Sequence, residues 1–410
     1  MSRRILIITQ YFDPEPTFKG LLFAKELVHR GFEVEVITGF PNYPGGNIYP
    51  GYKIKAIQRE TVDGVLISRV PLFPSHDASR FGRIICYVSF AFSSLIYGLF
   101  FAKRPNIIYA YHPPLTVGIS AILIKLFKRV PVVLDIQDMW PDTLKATGMI
   151  NNIKILGFIS KVCNIVYRSV TEVVVLSPGF KKLLINRGVP ASKIKVIYNW
   201  ADESKIKRKH DLIPEKIADI EGFKILFAGN VGKAQGLNVI ANAALLLKDN
   251  FPTINFVVLG EGLKLMELKS LVKSFNLTNV HFIKSVRMNE VGNYLNYADV
   301  LLVHLNSDPL FEITIPGKTQ AYMAAGKPII MGINGDAANL ISKADCGICF
   351  EPENASSLAE AAKHMMSLST DEIKKMGKKA EFFYEEKLSV KVGTDAFAEL
   401  FNKILDIKKQ

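Results

Sequence analysis

Apolar runs of strand length alternate with amphipathic stretches from the first residues onward. ILIITQYF (5–12) is followed by GLLFAKELVHRG (20–31) and EVEVITGF (33–40), a pattern that predicts a strand, a helix and a strand. The alternation continues through VLISRVPL (65–72), NIIYAYH (106–112), VPVVLDIQD (130–138) and TEVVVLS (171–177), at intervals long enough for crossover helices. After a polar, basic stretch, SKIKRKHDLIPEK (204–216), it restarts with FKILFAGN (223–230), INFVVLGEG (254–262), VHFIKSV (280–286), DVLLVHL (299–305), KPIIMGI (327–333) and GICF (347–350). This reads as α/β architecture with mostly parallel, doubly wound sheets in two halves joined near residue 200. In open α/β sheets ligands bind beyond the carboxyl ends of the strands, so two facing halves would place a site in the cleft between them. Residues 371–410 are helical in composition and rich in Lys and Glu, as a solvated helical face would be.

One stretch departs from this rhythm. Residues 84–102, IICYVSFAFSSLIYGLFFA, are uninterrupted by charge and bracketed by Arg80 and Arg83 before and Lys103 and Arg104 after. The length suffices to span a bilayer. The runs on either side belong to the same sheet in this reading, and a crossing would separate them. A helix lying on an anionic leaflet, held by apolar burial and by its cationic brackets, is the expectation, with a core helix or dimer interface as the competitor.

A chain of 410 residues, 49% hydrophobic and 22% charged, is neither disordered nor a mini-protein, and it exceeds what one core accommodates. Lys and Arg outnumber Asp and Glu by 51 to 38, which calls for an anionic partner: phosphate, a membrane surface or nucleic acid. The basic run Lys205, Lys207, Arg208, Lys209 has no interleaved aromatic residues for base stacking, so nucleic acid is not expected. Four scattered cysteines, Cys86, Cys163, Cys346 and Cys349, make no disulfide framework and point to a reducing compartment. The Cys346–Cys349 pair lacks the second pair or histidine of a zinc site and reads as structural. The N-terminal run reads as a buried strand with no cleavage site, so export is not expected.

Three turns carry candidate chemistry. Gly229-Asn230-Val231-Gly232-Lys233-Ala234-Gln235-Gly236 follows one strand, and Gly260-Glu261-Gly262 follows the next. Glycine there lets backbone N–H groups approach an anion, although ordinary strand-to-helix turns use glycine too. The third, Ile315-Pro316-Gly317-Lys318-Thr319-Gln320, opens a helix that ends before Gly326. Lys318 and Thr319 then sit in its first turn, where a cation is unfavourable unless an anion neutralises it.

These turns, with the Lys19-Gly20 loop, Asp135-Ile136-Gln137-Asp138-Met139-Trp140-Pro141 and Pro316-Gly317-Lys318-Thr319-Gln320-Ala321-Tyr322-Met323-Ala324-Ala325-Gly326-Lys327-Pro328, resemble the retaining family 4 glycosyltransferases of the GT-B fold. Nearest among them are the WbuB-like transferases, regarded as L-fucosamine transferases of O-antigen and capsule assembly. The resemblance spans nearly the whole chain. It implies two Rossmann-like domains facing across a cleft: residues 1–200 for the acceptor, 201–390 for the nucleotide sugar, and a helix at 391–410 that packs back on the first domain. It also implies a nucleotide-diphosphate sugar, with UDP the expected carrier, a polyprenyl-diphosphate-linked saccharide acceptor, an anionic membrane surface, and a place at the inner face of the cell membrane. No cofactor and no metal are implied, because helix N-termini and cationic side chains neutralise the leaving diphosphate.

Carried onto this chain, the resemblance assigns donor binding to Lys19, Gly20, Asn230, Gly232, Lys233, Gln235, Gly260, Glu261, Gly262, Val286, Arg287, Lys318, Thr319 and Gln320, with residues from His281 to Arg287 meeting the base. Asn230 and Gln235 stand where the family has an Arg and a Lys, leaving Lys233, Arg287 and above all Lys318 to supply charge. Ala321 stands where the family's ribose-binding glutamate would be, with Gln320 the nearby polar substitute. Glu312 takes the place of the first glutamate after a one-residue shift. His112 falls where the family puts a histidine near the transferred sugar, and Asp138 reads as a base for the acceptor hydroxyl or as a helix cap. Two other readings compete: a non-hydrolysing nucleotide-sugar epimerase, which shares the two-domain fold but would be soluble and lack the exposed apolar helix, and a non-catalytic membrane-associated interaction protein that has lost donor binding.

Overall fold

The structure, a computed structural model, describes residues 3–75, 80–206 and 214–407. The basic residues Lys207, Arg208 and Lys209 lie outside that range. The chain divides into two compact units, residues 1–198 with 393–410, and residues 199–392.

The first unit contains β1 (Arg3–Ile8), α1 (Leu21–His29), β2 (Phe32–Thr38), β3 (Gln58–Val62), β4 (Val65–Arg69), α2 (Arg80–Phe100), β5 (Ile107–His112), α3 (Leu115–Lys128), β6 (Val132–Ile136), α4 (Asp142–Ala146), α5 (Ile153–Ser169), β7 (Glu172–Val175), α6 (Pro178–Asn186) and β8 (Ile194–Val196). The sheet order is β3-β4-β2-β1-β5-β6-β7-β8, parallel throughout except for the β3–β4 hairpin. The winding reverses between β1 and β5, so the switch point lies at their carboxyl ends. Each apolar run named in the sequence forms a strand here. The central ones are buried on both faces, as parallel strands covered by helices must be.

The second unit contains α7 (Glu203–Ile206), α8 (Glu215–Ala218), β9 (Phe223–Ala228), α9 (Asn238–Leu247), β10 (Ile254–Leu259), α10 (Leu265–Ser274), β11 (Val280–Ile283), α11 (Val291–Tyr297), β12 (Val300–His304), α12 (Pro309–Glu312), α13 (Gly317–Ala324), β13 (Ile329–Gly332), α14 (Asp336–Ala344), β14 (Gly347–Cys349), α15 (Ala355–Ser367) and α16 (Thr370–Lys387). Its all-parallel sheet runs β11-β10-β9-β12-β13-β14, reversing between β9 and β12. A core of Phe227, Ile240, Leu247, Phe256, Val258, Leu302 and Leu358 fills the space between sheet and helices.

The last helix, α17 (Val390–Ile407), carries the chain into the first unit. There Phe397 lies 5.0 Å from Phe23 and 5.5 Å from Tyr109, Phe401 packs edge-on to Phe32, and Asp395 pairs with Arg30. Helix starts follow local chemistry: Asn152 caps α5 by accepting from Lys154 and Ile155 N–H, and Ser369 with Glu372 forms a capping box at α16.

Candidate functional site

In the second unit the three turns singled out in the sequence meet at the carboxyl end of the sheet, beside the switch point. The β9 turn and the β10 turn interlock through backbone: Gly229 N–H donates to the Leu259 carbonyl, Val231 N–H to the Glu261 carbonyl at 2.8 Å, and Lys264 N–H to the Val231 carbonyl at 2.9 Å. Gly260 and Gly262 sit at φ +150° and +155°, and a Cβ on either would overlap the carbonyl oxygen of Gly229 or Val231. Glycine is required there by close approach as well as by backbone angle. Gln235 folds back, its Oε1 accepting from Gly232 N–H at 3.0 Å, so it braces the turn. Asn230, Lys233, Glu261 and Gly262 are exposed at its rim, and Gly232 is half-buried.

The third turn enters from below. Pro316 caps α13 and Gly317 opens it, which puts Lys318, Thr319 and Gln320 in the first turn as expected. Tyr322, one turn on, donates to the Ala228 carbonyl and accepts from Ala228 N–H, pinning α13 to the end of β9. The Lys318 Nζ is buried 3.6 Å from the centroid of the Phe227 ring, and a Cβ on Gly229 would lie 3.1 Å from it. Lys318 Nζ, Thr319 Oγ1 and Gln320 Oε1 are all buried without a hydrogen-bond partner among the described residues. Burial alone pulls the Lys318 ammonium down to about 7. The two donors, Lys318 Nζ and Thr319 Oγ1, at a helix N-terminus next to a glycine turn, suit an anion, whereas Gln320 Oε1 is an acceptor and suits a hydroxyl.

Other assigned residues lie apart from this cluster or at its edge. Arg287 is exposed beyond β11, its backbone N–H donating to Glu290, and Val286 is half-buried. His281 is not with them: it lies near the amino end of β11, bonded to Asn255 at 2.8 Å, whereas the glycine turns are at the carboxyl ends. The stretch from His281 to Arg287 therefore spans the strand, and its first residue cannot face the base alongside its last. Glu312 ends α12, its carboxylate exposed and its backbone against Gly335.

His304, which pattern reading passed over, holds the site from beneath. It ends β12 and is buried; its Nδ1 meets the Gln235 carbonyl at 2.7 Å and its Nε2 accepts from Glu353 N–H at 2.9 Å, so the proton is on Nδ1. Its ring stacks on Phe350. The available signal was symmetry: in each half the strand across the switch point ends in histidine, His112 on β5 and His304 on β12.

In the first unit, His112 is fully buried, both ring nitrogens lack a partner among the described residues, and burial pushes it down to about 3, so the imidazole is neutral. Trp140 meets it edge-on at 5.7 Å. Asp138 follows β6 and is raised to about 6 by burial. It does not cap α4, whose N-cap is Pro141 without a side-chain bond, so the helix-cap reading fails. Tyr11 and Tyr43 lie 5.0 Å apart and Tyr87 lies 6.3 Å from Trp140, giving this end of the sheet an aromatic lining that the sequence reading missed. Lys19 is buried 3.7 Å from Asp135, its charge neutralised within the unit, and Gly20 opens α1 against the Asp13 carboxylate.

Two family models match successive parts of the chain: residues 21–200 match the glycosyl transferase 4-like domain and residues 210–382 match the glycosyl transferases group 1. The chain belongs to this glycosyltransferase family and has its GT-B fold of two Rossmann-like domains. It is 25% identical over 391 residues to a putative colanic acid biosynthesis glycosyl transferase, WcaI, of Escherichia coli, covering 89% of this chain and 92% of that one. It is 22% identical to a probable glycosyltransferase, WbjE, of Pseudomonas aeruginosa, covering 75% and 77%. The solved structure of Anabaena HepE in complex with UDP covers 98% of this chain and 100% of its own at a TM-score of 0.70 and 14% identity, a likeness of fold.

Proposed function

We propose that this glycosyltransferase moves a sugar from a UDP sugar to a lipid-linked saccharide during assembly of a surface polysaccharide, at the cytoplasmic face of the cell membrane. The observation that carries the donor half of this reading is the trio of buried polar atoms on Lys318, Thr319 and Gln320 beside the β9 turn, unpartnered among the described residues. The names of the relatives support the polysaccharide setting, and the UDP complex of the fold neighbour supports the base. An N-acetyl-fucosamine type of sugar follows from the resemblance to WbuB-like transferases and is part of the proposal.

In this mechanism the bond between the anomeric carbon and the β-phosphate oxygen breaks while the acceptor hydroxyl oxygen bonds to that carbon. Negative charge grows on the departing diphosphate. Lys318, the Thr319 hydroxyl and the N-terminus of α13 stabilise it, without a metal in this scheme. Gln320 offers the polar contact to the ribose that Ala321 lacks, and Glu312 meets the sugar. Neutral His112 hydrogen-bonds a sugar hydroxyl, and the acceptor proton passes to Asp138 or to the leaving phosphate on the same face, with retention of configuration.

The test is the thermal shift of the purified protein with UDP, GDP, ADP and CMP side by side. Stabilisation by UDP above the others is the expected result, at about 3 kcal/mol for ligand at a hundred times Kd. Absence of a shift with every nucleotide would sink the donor site and bring the non-catalytic reading forward.

A further inference from the structure

Residues 78–134 and 143–171 contain no Asp or Glu but eleven Lys and Arg, so most of the chain's net charge of +13 resides in two segments of the first unit. These segments supply α2, α3 and α5, which pack side by side. Ser120 Oγ of α3 donates to the Ala91 carbonyl of α2, Gly98 of α2 meets Ile124 of α3, and Gly118 of α3 meets Val166 of α5. Lysines tie the helix ends together: Lys128 Nζ donates to the Ala102 carbonyl just past α2, and Lys125 Nζ to the Ser169 carbonyl of α5. The three therefore form one layer.

The outward side of that layer is apolar. Along α2 an exposed row at every fourth residue reads Ile84, Val88, Phe92, Ile96, Phe100, with Phe92 65% and Phe100 77% accessible. Phe127 of α3 is 74% accessible. On α5 the exposed row Lys154, Phe158, Lys161, Ile165, Arg168 alternates cation and hydrophobe, with Phe158 68% and Ile165 65% accessible. Exposed apolar rows on adjacent helices call for a partner. The long helix is a crossover between β4 and β5 of one sheet, so it lies along the layer rather than passing through a bilayer.

We infer that α2, α3 and α5 together form a face that rests in an anionic phospholipid leaflet, α2 and the α3 end inserting apolar side chains while α5 alternates insertion with headgroup contacts. Charge complementarity selects this occupant: a protein partner or second copy meeting an acid-free cationic face would need an acidic patch, and α2, α3 and α5 carry none to offer one another. Apolar insertion and electrostatic attraction supply the two signals that stable peripheral binding requires. The inference deepens the proposed membrane setting and rests on it, but assigns the contact to three helices where the sequence pointed to one.

Flotation of the full-length protein with vesicles tests it, using phosphatidylcholine alone or mixed with about one third phosphatidylglycerol. The expected result is salt-sensitive binding to the anionic vesicles, with Lys154→Ser and Lys161→Ser each weakening it about fivefold. Phe158→Glu with Ile165→Glu on α5 weakens it about tenfold or more. All are exposed positions, so the UDP thermal shift stays at its wild-type size and reports an intact fold. The inference is overturned if the α5 variants float like wild type, if phosphatidylcholine alone binds equally well, or if sedimentation shows a dimer that these substitutions dissociate. Flotation without a UDP shift would leave the face standing and remove the donor reading; a UDP shift without flotation would do the reverse.

Discussion

Lys318 shows how a residue is held at a cost to the free protein. An ammonium buried against Phe227 without a hydrogen-bond partner among the described residues has lost its hydration and gained a ring face in return. Lys318→Met should keep the stem packed while removing the orphaned charge. The ligand-free protein should then melt higher by the equivalent of about 1–3 kcal/mol, while the UDP-induced shift shrinks and affinity falls about 10–100-fold. Differential scanning fluorimetry with and without UDP reads both. The same lysine gives a pH dependence. Its folded value, about 7, lies below its unfolded one, so above pH 7 the neutral form predominates in the free protein and an anion must recover the proton. With UDP-glucose, whose phosphates stay ionised in this range, affinity should be flat below pH 7 and fall about tenfold per unit above it. Calorimetry in buffers of different ionisation enthalpy should detect proton uptake on binding above pH 7, and a pH-independent affinity that survives Lys318→Met would remove the lysine from the site. The place of Lys318 was legible because proline and glycine mark helix limits. Its burial under the β9 turn was not, since that depends on how strands distant in sequence pair.

At the scale of elements, the donor turns work because two loops share one layer of backbone. The β10 turn passes so close to the β9 turn that Gly260 and Gly262 admit no side chain. Gly262→Ala should cost about 1–3 kcal/mol from strain and force the β9 turn outward, weakening UDP binding while leaving hydrogen exchange in β1 and β5 unchanged. If the variant melts and binds UDP like wild type, the interlocked turns are not what shapes the site. Strands were legible where burial on both faces makes them continuous apolar runs. β3, with alternating exposure at the sheet edge and the sequence QRETV, carries no such run, and three-residue β8 is too short to stand out. His304 was invisible for another reason: its importance is in bonds to the Gln235 carbonyl and Glu353 N–H, and backbone partners leave no mark in side-chain pattern.

At the scale of the whole molecule, the first unit is assembled from both ends of the chain. Residues 1–198 build its sheet, and residues 393–407 return to cover β1, β2 and β5 after the second unit has been completed. Composition suggested a solvated Lys- and Glu-rich tail, because α16, which is exposed along one side, dominates the average over residues 371–410. The apolar stripe of α17 is different: Phe397 and Phe401 are both fully buried and touch Tyr109 from the same helix face. The first unit therefore cannot complete its core until the end of the chain is available. Phe397→Ala should remove about 3–5 kcal/mol from that unit by leaving a cavity among Phe23, Tyr109 and Phe401. Hydrogen exchange should speed up in β1 and β5 and stay unchanged in β9 and β10, which belong to the other unit. UDP should still bind, because every atom of the anion receptor lies within residues 199–392. Equal loss of protection in both sheets would instead mean that the two units unfold as one, and that the returning helix stabilises more than the core it enters.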